Sequence, residues 1–233
     1  VIRSDIADDD RFRERFRSES RTAASIEDPR VVTVFAAGER DGLTYVAMRY
    51  VPGADLQRLT ASQGPLPPER AAAVIAQVAA GLDAVHAAGL VHRDVKPANV
   101  IIADGDGGRN GPRAYLTDFG LAKSLASDHK TTKVMGTPHY MSPEQFEGKP
   151  VDGRSDIYSV GCMLYQMLSG ALPFNADSLG GLLLEHMNTQ PPTLRERGLT
   201  GVPPALSELV ARCLAKEPAQ RPASATELRA ELA

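Results

Sequence analysis

The sequence contains only two cysteines among its 233 residues, Cys162 and Cys213, and they stand far apart. A zinc site needs closely spaced ligands and a secreted disulfide scaffold needs many cysteines, so both classes are excluded. An excess of positive charge is also lacking, because 26 basic residues face 29 acidic ones and the formal net charge is −3. We therefore expect no nucleic-acid partner, and a reduced cytoplasmic setting fits the low cysteine content.

The sequence also has little that could enter a membrane. Its first residues, VIRSDIADDD, lack the apolar core of a signal peptide, and without an initiator Met we expect the chain to begin inside a longer protein. The uncharged stretch 157–174, IYSVGCMLYQMLSGALPF, is long enough for a spanning helix. Because Gln166 is polar and Gly170 and Pro173 would end a helix inside it, we predict a buried core helix and no membrane span within the chain.

The N-terminal part combines one helical pattern with two β-rich runs. Residues 11–26 have the spacing of a basic amphipathic helix, with Phe12, Phe16 and Ala23 on its apolar side and Asp28-Pro29 after its end. The runs RVVTVFAAGE and LTYVAMRYV lie on either side of Asp41-Gly42, a dipeptide typical of hairpin turns. We therefore predict a helix followed by a β-hairpin.

The rest of the chain is mainly helical in pattern. Residues 68–88 form the clearest predicted helix, because Pro67-Pro68 opens it and Gly89 is suited to cap its end. Two short runs, VIIA and AYLTDF, are predicted as strands, and helical patterns follow beyond residue 150. The expected order is thus a short β-rich part and then a long helical part.

The stretch HRDVKPANV carries the residues best suited to chemistry. Pro97 prevents a regular helix between Asp94 and Asn99, so a turn can direct both side chains into one cavity that Lys96 also reaches. With Asp118 of TDFG, these residues offer oxygen ligands for Mg²⁺, a cation for phosphate and a carboxylate that could accept a hydroxyl proton. For any one of them alone, a solvated turn residue is the alternative.

The segments HRDVKPAN, DFG and GTPHYMSPE stand in the order and spacing of the eukaryotic-type protein kinases, and the chain resembles this family over essentially all its length. The resemblance is strongest to bacterial serine/threonine kinases of the actinobacterial type. It implies an α+β, two-lobe protein-kinase-like fold: 1–48 as an incomplete β-rich N-lobe with its helix and two or so strands, 49–56 as the linker and 57–233 as a complete helical C-lobe. It further implies transfer of the γ-phosphoryl group of ATP to serine or threonine of protein substrates.

The resemblance assigns roles in phosphoryl transfer to the polar residues. Asp94 resembles the catalytic base, and Lys96 the lysine that contacts the γ-phosphate in serine/threonine kinases. Asn99 and Asp118 match the ligands of Mg²⁺, or of Mn²⁺ in its place. Thr137 matches the threonine that contacts Asp94 and Lys96.

The resemblance also outlines the ATP site. The residues that match it are Glu19, Met48, Tyr50, Val51, Asp55, Leu56 and Ile101. Met48 would be the gatekeeper, the backbone from 49 to 51 would bind adenine, and Asp55 would contact the ribose. Leu56 and Ile101 would close the adenine from below. Arg49 replaces the acidic residue common at its position, which is of little consequence because the backbone makes these bonds.

The basic residue before Asp94 implies control by phosphorylation. Arg93 would be a buried cation until a phosphate on the activation loop pairs with it. Thr131 and Thr132, in SDHKTTKVMGT, match the phosphorylated positions, and Thr131 fits better by its spacing from Gly136. Solvated loop threonines are the alternative.

Other matching positions are expected to be structural. His92 and Phe119 match a packed apolar spine, which makes His92 a core histidine and not a base. Glu144 and Arg221 resemble a buried ion pair that anchors the C-lobe. Asp156 resembles the acid that binds the backbone of the catalytic loop from the start of a helix.

Two parts that the resemblance requires are missing from the sequence: a glycine-rich loop over the phosphates and a strand lysine that pairs with Glu19. The first lysine is Lys96, and the expected one would fall at or just before Val1. We therefore expect an N-terminally truncated domain that is inactive or barely active, since one lost electrostatic group often lowers a rate by about 10²–10³. We also expect the residues before 48 to be the most mobile.

Two alternatives fit parts of this pattern. A pseudokinase acting as a binding or scaffold module would lack the loop and the lysine naturally, although it would have no chemical need for the intact polar set. A small-molecule phosphotransferase is disfavoured because GTPHYMSPE resembles a peptide-positioning loop.

For the kinase, the resemblance implies a second kinase domain as partner for autophosphorylation in trans, and a membrane tether after residue 233 of the full-length protein.

Overall fold

The computed structural model describes residues 10–40, 43–103, 111–118 and 138–232. The helices are α1 (Asp10–Ala24), α2 (Leu56–Gln63), α3 (Pro68–Ala87), α4 (Pro143–Phe146), α5 (Gly153–Ser169), α6 (Leu179–Asn188), α7 (Pro204–Cys213) and α8 (Ala225–Glu231). The strands are β1 (Val34–Arg40), β2 (Leu43–Met48), β3 (Ala54–Asp55), β4 (Val100–Ala103) and β5 (Arg113–Leu116). Single 3₁₀ turns occupy Pro97–Asn99, Pro138–Tyr140 and Pro218–Gln220.

The N-terminal part is a helix packed on a hairpin. β1 and β2 pair antiparallel from Val34 opposite Met48 to Arg40 opposite Leu43, which confirms the predicted hairpin. α1 packs against β1 and buries Phe16 and Ala23. The strands form a separate two-stranded sheet among the described residues, and most of β1 is exposed or half-buried.

A second small sheet contains β3, the first strand after the hairpin, together with β4 and β5. Its order is β3-β4-β5, with both pairs antiparallel, and β4 and β5 are the two strands predicted from VIIA and AYLTDF. Gly53 precedes it at a position where a Cβ atom would lie 2.4 Å from the backbone oxygen of Ile102. No larger residue fits this close approach, so the glycine fixes how the segment before β3 crosses β4.

The helical part is built around α5, which is buried along nearly its whole length. The helices α3, α7 and α8 pack against it, and α8 also packs on α3. The core helix predicted within 157–174 ends at Ser169, because Gly170 adopts a left-handed φ of 72° that closes the last turn, as the sequence indicates. Within the ranges that the structure describes, no helix is long and apolar enough to cross a membrane.

The helix α3 confirms the sequence prediction almost to the residue. It runs from Pro68 to Ala87, and Gly89 follows it with a φ of 78°. The Gly89 N–H donates to the His86 carbonyl and the Leu90 N–H to the Val85 carbonyl, at 2.9 and 3.1 Å. This glycine-dependent ending turns the chain directly into the segment that contains His92 to Asn99.

Candidate active site

The loop from His92 to Asn99 brings three of the predicted residues together. Lys96 Nζ lies 2.9 Å from Asp94 Oδ2, and Asn99 Nδ2 donates to the Asp94 carbonyl at 2.8 Å and to Oδ2 at 3.1 Å. The 3₁₀ turn that begins at Pro97 makes this possible, because it folds Asn99 back until its N–H reaches the Lys96 carbonyl. A carboxylate, an ammonium group and a carboxamide therefore meet in one turn.

Asp118 follows a segment that is tied to the same loop. The Thr117 N–H donates to the Asn99 carbonyl at 3.0 Å, and His92 Nε2 lies 3.1 Å from the Thr117 carbonyl. Asp118 itself has a left-handed φ of 55° and is exposed. A positive φ is uncommon for a non-glycine residue and often marks a functional position, so it is consistent with a ligand-binding role.

The pair Asn99 and Asp118 fits a magnesium ion in its donor chemistry. Because Asn99 Nδ2 is committed to Asp94, the Oδ1 atom is the side-chain donor that remains for a metal. Among the described residues there is no group of three or more His, Cys, Asp or Glu side chains that could hold a metal. Mg²⁺ is commonly bound by one or two protein ligands together with phosphate and water oxygens.

The backbone before Asp94 is held by Asp156. Its Oδ2 accepts from the His92 N–H and its Oδ1 from the Arg93 N–H, both at 2.8 Å. The Asp156 carboxylate is fully buried in the first turn of α5, where the helix N-terminus favours negative charge. Arg93 has a φ of 63°, so this pair of bonds holds an unfavourable backbone conformation in place.

His86 is a further hydrogen-bond partner of Asp156, and the sequence patterns did not predict it. Its Nε2 lies 2.7 Å from Asp156 Oδ2, the same oxygen that binds the His92 N–H. The contact leaves no local pattern in the sequence, since the two residues are 70 positions apart. Gly153 allows it, because a Cβ there would lie 2.8 Å from the His86 ring.

His92 lies in the core as a neutral side chain. Its Nδ1 accepts from the Asp94 N–H at 3.3 Å, and Nε2 donates to the Thr117 carbonyl at 3.1 Å, which together require a single protonated nitrogen. Burial lowers the pKa of His92 below its ordinary value, although Asp156 and Asp94 act in the opposite direction. The side chain is fully buried, so it supports the loop and does not face a substrate.

Glu144 and Arg221 form a buried ion pair at the base of this region. Nη1 and Nη2 of Arg221 lie 2.6 and 2.8 Å from the two carboxylate oxygens, and Ser155 Oγ donates to Oε1 at 2.5 Å. Burial raises the pKa of Glu144, but the hydrogen bonds from Arg221 and Ser155 outweigh it and hold the pKa below its ordinary value. The pair is therefore ionised at neutral pH.

The predicted ATP-site residues fall into different environments. Met48 and Ile101 pack on a small apolar cluster that contains Val51, whereas Leu56 lies fully buried in the main core. Tyr50 is 85% exposed, so its side chain packs little against the described residues. Met48 also contacts the residue before Asp118, because its Sδ lies 3.4 Å from Thr117 Oγ1.

Of the two acidic residues predicted for the ATP site, Asp55 lies at the start of α2 and Glu19 lies within α1. Asp55 caps α2: its Oδ1 accepts from the Arg58 N–H at 2.8 Å and its Oδ2 lies 3.2 Å from Arg58 Nε. Glu19 lies half-buried on α1.

Phe119, Thr131, Thr132 and Thr137 lie outside the described residues. Inside the described part of the chain, Arg93 Nε is buried and has no hydrogen-bond partner.

Comparison with known proteins identifies the relatives of this chain. A family model described as "Protein kinase domain" matches residues 2–231. The chain is 42% identical over 98% of its length to serine/threonine-protein kinase PknH of Mycobacterium tuberculosis, and 39% identical over 100% to serine/threonine-protein kinase pkn3 of Myxococcus xanthus. It covers 36% and 44% of these two proteins, so it spans less than half the length of either.

Solved structures agree with this relationship. The Mycobacterium tuberculosis PknI kinase domain superimposes with a TM-score of 0.77 at 32% identity, covering 100% of this chain and 82% of that one. Rad53 1-466 in complex with AMP-PNP gives 0.77 at 23% identity over 93% of this chain and 53% of that one, which shows a shared fold alone. The expected two-lobe α+β fold is confirmed, and the chain belongs to the protein kinase family, with bacterial serine/threonine kinases among its relatives.

Proposed function

We propose that the chain transfers the γ-phosphoryl group of ATP to serine or threonine hydroxyls of protein substrates. The observation that carries this proposal is the cluster of Asp94, Lys96 and Asn99 in one turn, joined through Thr117 to Asp118. The relatives named above, PknH and pkn3, are serine/threonine-protein kinases, which supports the choice of acceptor.

In this proposal each side chain of the loop has one task. Asp94 orients the substrate hydroxyl and takes its proton as the new O–P bond forms, while the bond from the γ-phosphorus to the bridging oxygen breaks and ADP leaves. Lys96, 2.9 Å from Asp94, stabilises negative charge on the γ-phosphoryl oxygens. Asn99 fixes the Asp94 carboxylate through Nδ2.

Asn99 Oδ1 and the Asp118 carboxylate would hold the metal, Mg²⁺ or Mn²⁺, which when bound neutralises charge on the β- and γ-phosphates. The left-handed backbone at Asp118 and the tether of Thr117 to Asn99 keep these two donors on neighbouring segments. The two residues thus orient the nucleotide, while Asp94 and Lys96 act on the transferred group.

We propose that adenine binds against the apolar cluster of Met48, Val51 and Ile101, with backbone groups of residues 49 to 51 at its edge. Leu56 supports this surface from the core beneath it. Tyr50 contributes only its backbone. For Asp55 to bind the ribose, a ribose hydroxyl has to share its carboxylate with Arg58. Glu19 would orient a phosphate-binding lysine, which these 233 residues do not provide.

Regulation in this proposal comes through Arg93. Its buried Nε lacks a partner in the described region, and a phosphate on Thr131 or Thr132 would supply one. Thr137 would contact Asp94 and Lys96. A second copy of the domain could act as kinase for that phosphorylation, in the cytoplasm, with or without a membrane tether elsewhere in the full-length protein.

The 233 residues by themselves contain neither a glycine-rich loop nor a lysine before Lys96, and we propose that on their own they transfer phosphate slowly. A binding or scaffold module is the second candidate that the experiment has to separate from the kinase. A chimera in which a glycine-rich loop and a lysine-bearing strand precede residue 1 separates the two. We expect it to exceed the 233-residue chain by about 10²-fold or more in rate, whereas equal negligible rates would favour the scaffold.

The proposed function is tested by phosphate transfer to a serine- and threonine-containing protein in the presence of Mg²⁺-ATP. The natural full-length protein and its Asp118→Asn variant are compared, with Asp177→Asn as a control because Asp177 is a surface residue before α6. We expect Asp118→Asn to lower the rate by about 10²–10³-fold, and Asp177→Asn to leave it unchanged. A parent rate no higher than that of Asp118→Asn would overturn the proposal.

A further inference from the structure

Arg93, the residue before the proposed catalytic aspartate, is held at both its backbone N–H and its carbonyl. Arg93 has a φ of 63°, which is unfavourable for a residue that carries a Cβ. Its N–H donates to Asp156 Oδ1 at 2.8 Å, and its carbonyl accepts from Gln145 Nε2 at 3.0 Å. The Arg93 carbonyl belongs to the peptide unit that leads into Asp94, so the bond from Gln145 bears directly on the placement of that carboxylate.

The orientation of the Gln145 side chain is fixed by its partners. Its Oε1 accepts from the Ser142 N–H at 3.0 Å and from Ser142 Oγ at 3.2 Å. The bond from the Ser142 N–H is one half of the capping box of α4. A backbone N–H can only donate and a carbonyl can only accept, so Oε1 must face Ser142 and Nε2 must face Arg93. One amide therefore bridges the start of α4 and the catalytic loop, 52 positions apart.

The helix that carries Gln145 is itself anchored. Its neighbour Glu144 makes the buried ion pair with Arg221 and accepts from Ser155 at the start of α5. Pro143 is buried as well. The amide thus reaches the loop from a rigid support, which is what a positioning group requires.

We propose that Gln145 is a positioning residue for the transfer reaction: its amide N–H holds the Arg93 carbonyl and so keeps Asp94 in register with Lys96 and Asn99. The catalytic part of this inference rests on the proposed function, whereas the bridge itself does not. Loss of the N–H should widen the range of Asp94 positions, which lowers kcat and leaves ATP binding unchanged. A residue that only caps α4 would have no such effect.

A single substitution separates the two roles. Gln145→Glu keeps an acceptor for Ser142, since glutamate is a standard partner in a capping box, but it places a carboxylate against the Arg93 carbonyl where a donor is needed. Gln77→Glu is the matched control. Gln77 is also a half-buried glutamine whose amide donates to backbone carbonyls, of Ala73 and Pro112, away from the catalytic loop.

The first measurement is hydrogen exchange of the loop amides 92–100 in the 233-residue chain at pH 7. We expect Gln145→Glu to accelerate their exchange by roughly 5- to 10-fold, the effect of one lost hydrogen bond, while the amides of α5 exchange as in the parent and so report an intact fold. Gln77→Glu should leave the loop unchanged. Unchanged loop exchange in Gln145→Glu, or equal acceleration in both variants, would overturn the bridge.

The second measurement is steady-state phosphate transfer by the full-length protein. We expect kcat of Gln145→Glu to fall by about 5- to 10-fold with KM for ATP unchanged, and Gln77→Glu to match the parent. Faster loop exchange combined with a parental kcat would overturn the positioning role. A parent without any transfer would refute the proposed function instead, and the exchange result would still decide whether Gln145 holds the loop.

Discussion

Arg221 and Glu144 meet through two parallel hydrogen bonds of 2.6 and 2.8 Å, although 77 positions separate them in the chain. The remaining N–H groups of the guanidinium donate to the carbonyls of Arg154, Ala215 and Lys216. All five donors of the arginine are thereby used, and its side chain has no exposed surface. The pair joins α4 to the first turn of α5 and to the segment before α8, so it anchors the helix that carries Gln145.

Arg221→Ala should destabilise the fold strongly, because it leaves the buried Glu144 carboxylate without its counter-ion. Removing one partner of a buried pair typically costs about 3–5 kcal/mol. Urea unfolding of the 233-residue chain measures the loss. Arg212→Ala is the control: Arg212 pairs with Glu227 and Glu231 on the surface, and we expect a change under ~1 kcal/mol. A similar small change for both variants would contradict the account.

His186 should make the fold sensitive to mild acid. Burial, together with the charges of Lys216 and His139, lowers the pKa of His186 to about 3, and Tyr158 Oη lies 2.9 Å from its Nδ1. In the unfolded chain the pKa is about 6.5. Between these values only the unfolded state binds the proton, so the stability present above pH 6.5 falls with pH by up to ~1.4 kcal/mol per unit.

The measurement is the free energy of unfolding at pH 7, 6 and 5. The parent should lose stability over this range, and His186→Asn should show a slope smaller by about 1 kcal/mol per pH unit between pH 6 and 5. The slope is the useful quantity, since the smaller side chain lowers the stability at every pH. Identical slopes would show that His186 is not the titrating group.

Two helical glycines should respond to alanine with opposite signs. A Cβ at Gly161 of α5 would lie 2.7 Å from the Cβ of Cys213 in α7, whereas nothing lies within 4 Å of the same atom at Gly180 in α6. Gly161→Ala should therefore destabilise by about 1–3 kcal/mol through overpacking. Gly180→Ala should stabilise by about 0.5–1 kcal/mol because alanine loses less conformational entropy in a helix. Thermal unfolding of both variants checks the signs, and equal signs would count against the close α5–α7 contact.

The β1–β2 hairpin should open more readily than the helical part. Two-stranded sheets are marginally stable in isolation, and Phe35 in β1 is 67% exposed. We expect amides of β1 and β2 to exchange roughly 10²-fold faster than those of α3, whose apolar face is buried. Hydrogen exchange of the 233-residue chain provides both values in one experiment. Equal protection of the hairpin and α3 would refute this expectation.

Local signals made much of this structure predictable. Asp41-Gly42 predicted the β1–β2 pairing, Gly89 predicted the end of α3, and Gly170 marked the end of the buried helix α5. The kinase segments placed Asp94, Lys96 and Asn99 in one turn because Pro97 restricts the backbone between them. Each of these features depends on a few neighbouring residues.

Contacts between distant segments could not be predicted in the same way. The bonds from His86 to Asp156 and from Gln145 to Arg93 span 70 and 52 positions and depend on how helices pack. No periodicity or turn signal encodes them. The cap that Asp55 provides for α2 is different, because an aspartate directly before a helical run is a local signal of a helix N-terminus.

The most direct test of the proposed function compares the natural full-length protein with its Asp94→Asn variant under saturating Mg²⁺-ATP. The variant keeps the shape of the carboxylate and its contact with Lys96 through an oxygen, but it cannot accept the substrate proton. We predict phosphoserine or phosphothreonine formation by the parent, a kcat lower by about 10²–10⁴-fold in Asp94→Asn and an unchanged affinity for ATP. Equal kcat values for the two proteins would contradict the assignment of Asp94 as the catalytic base.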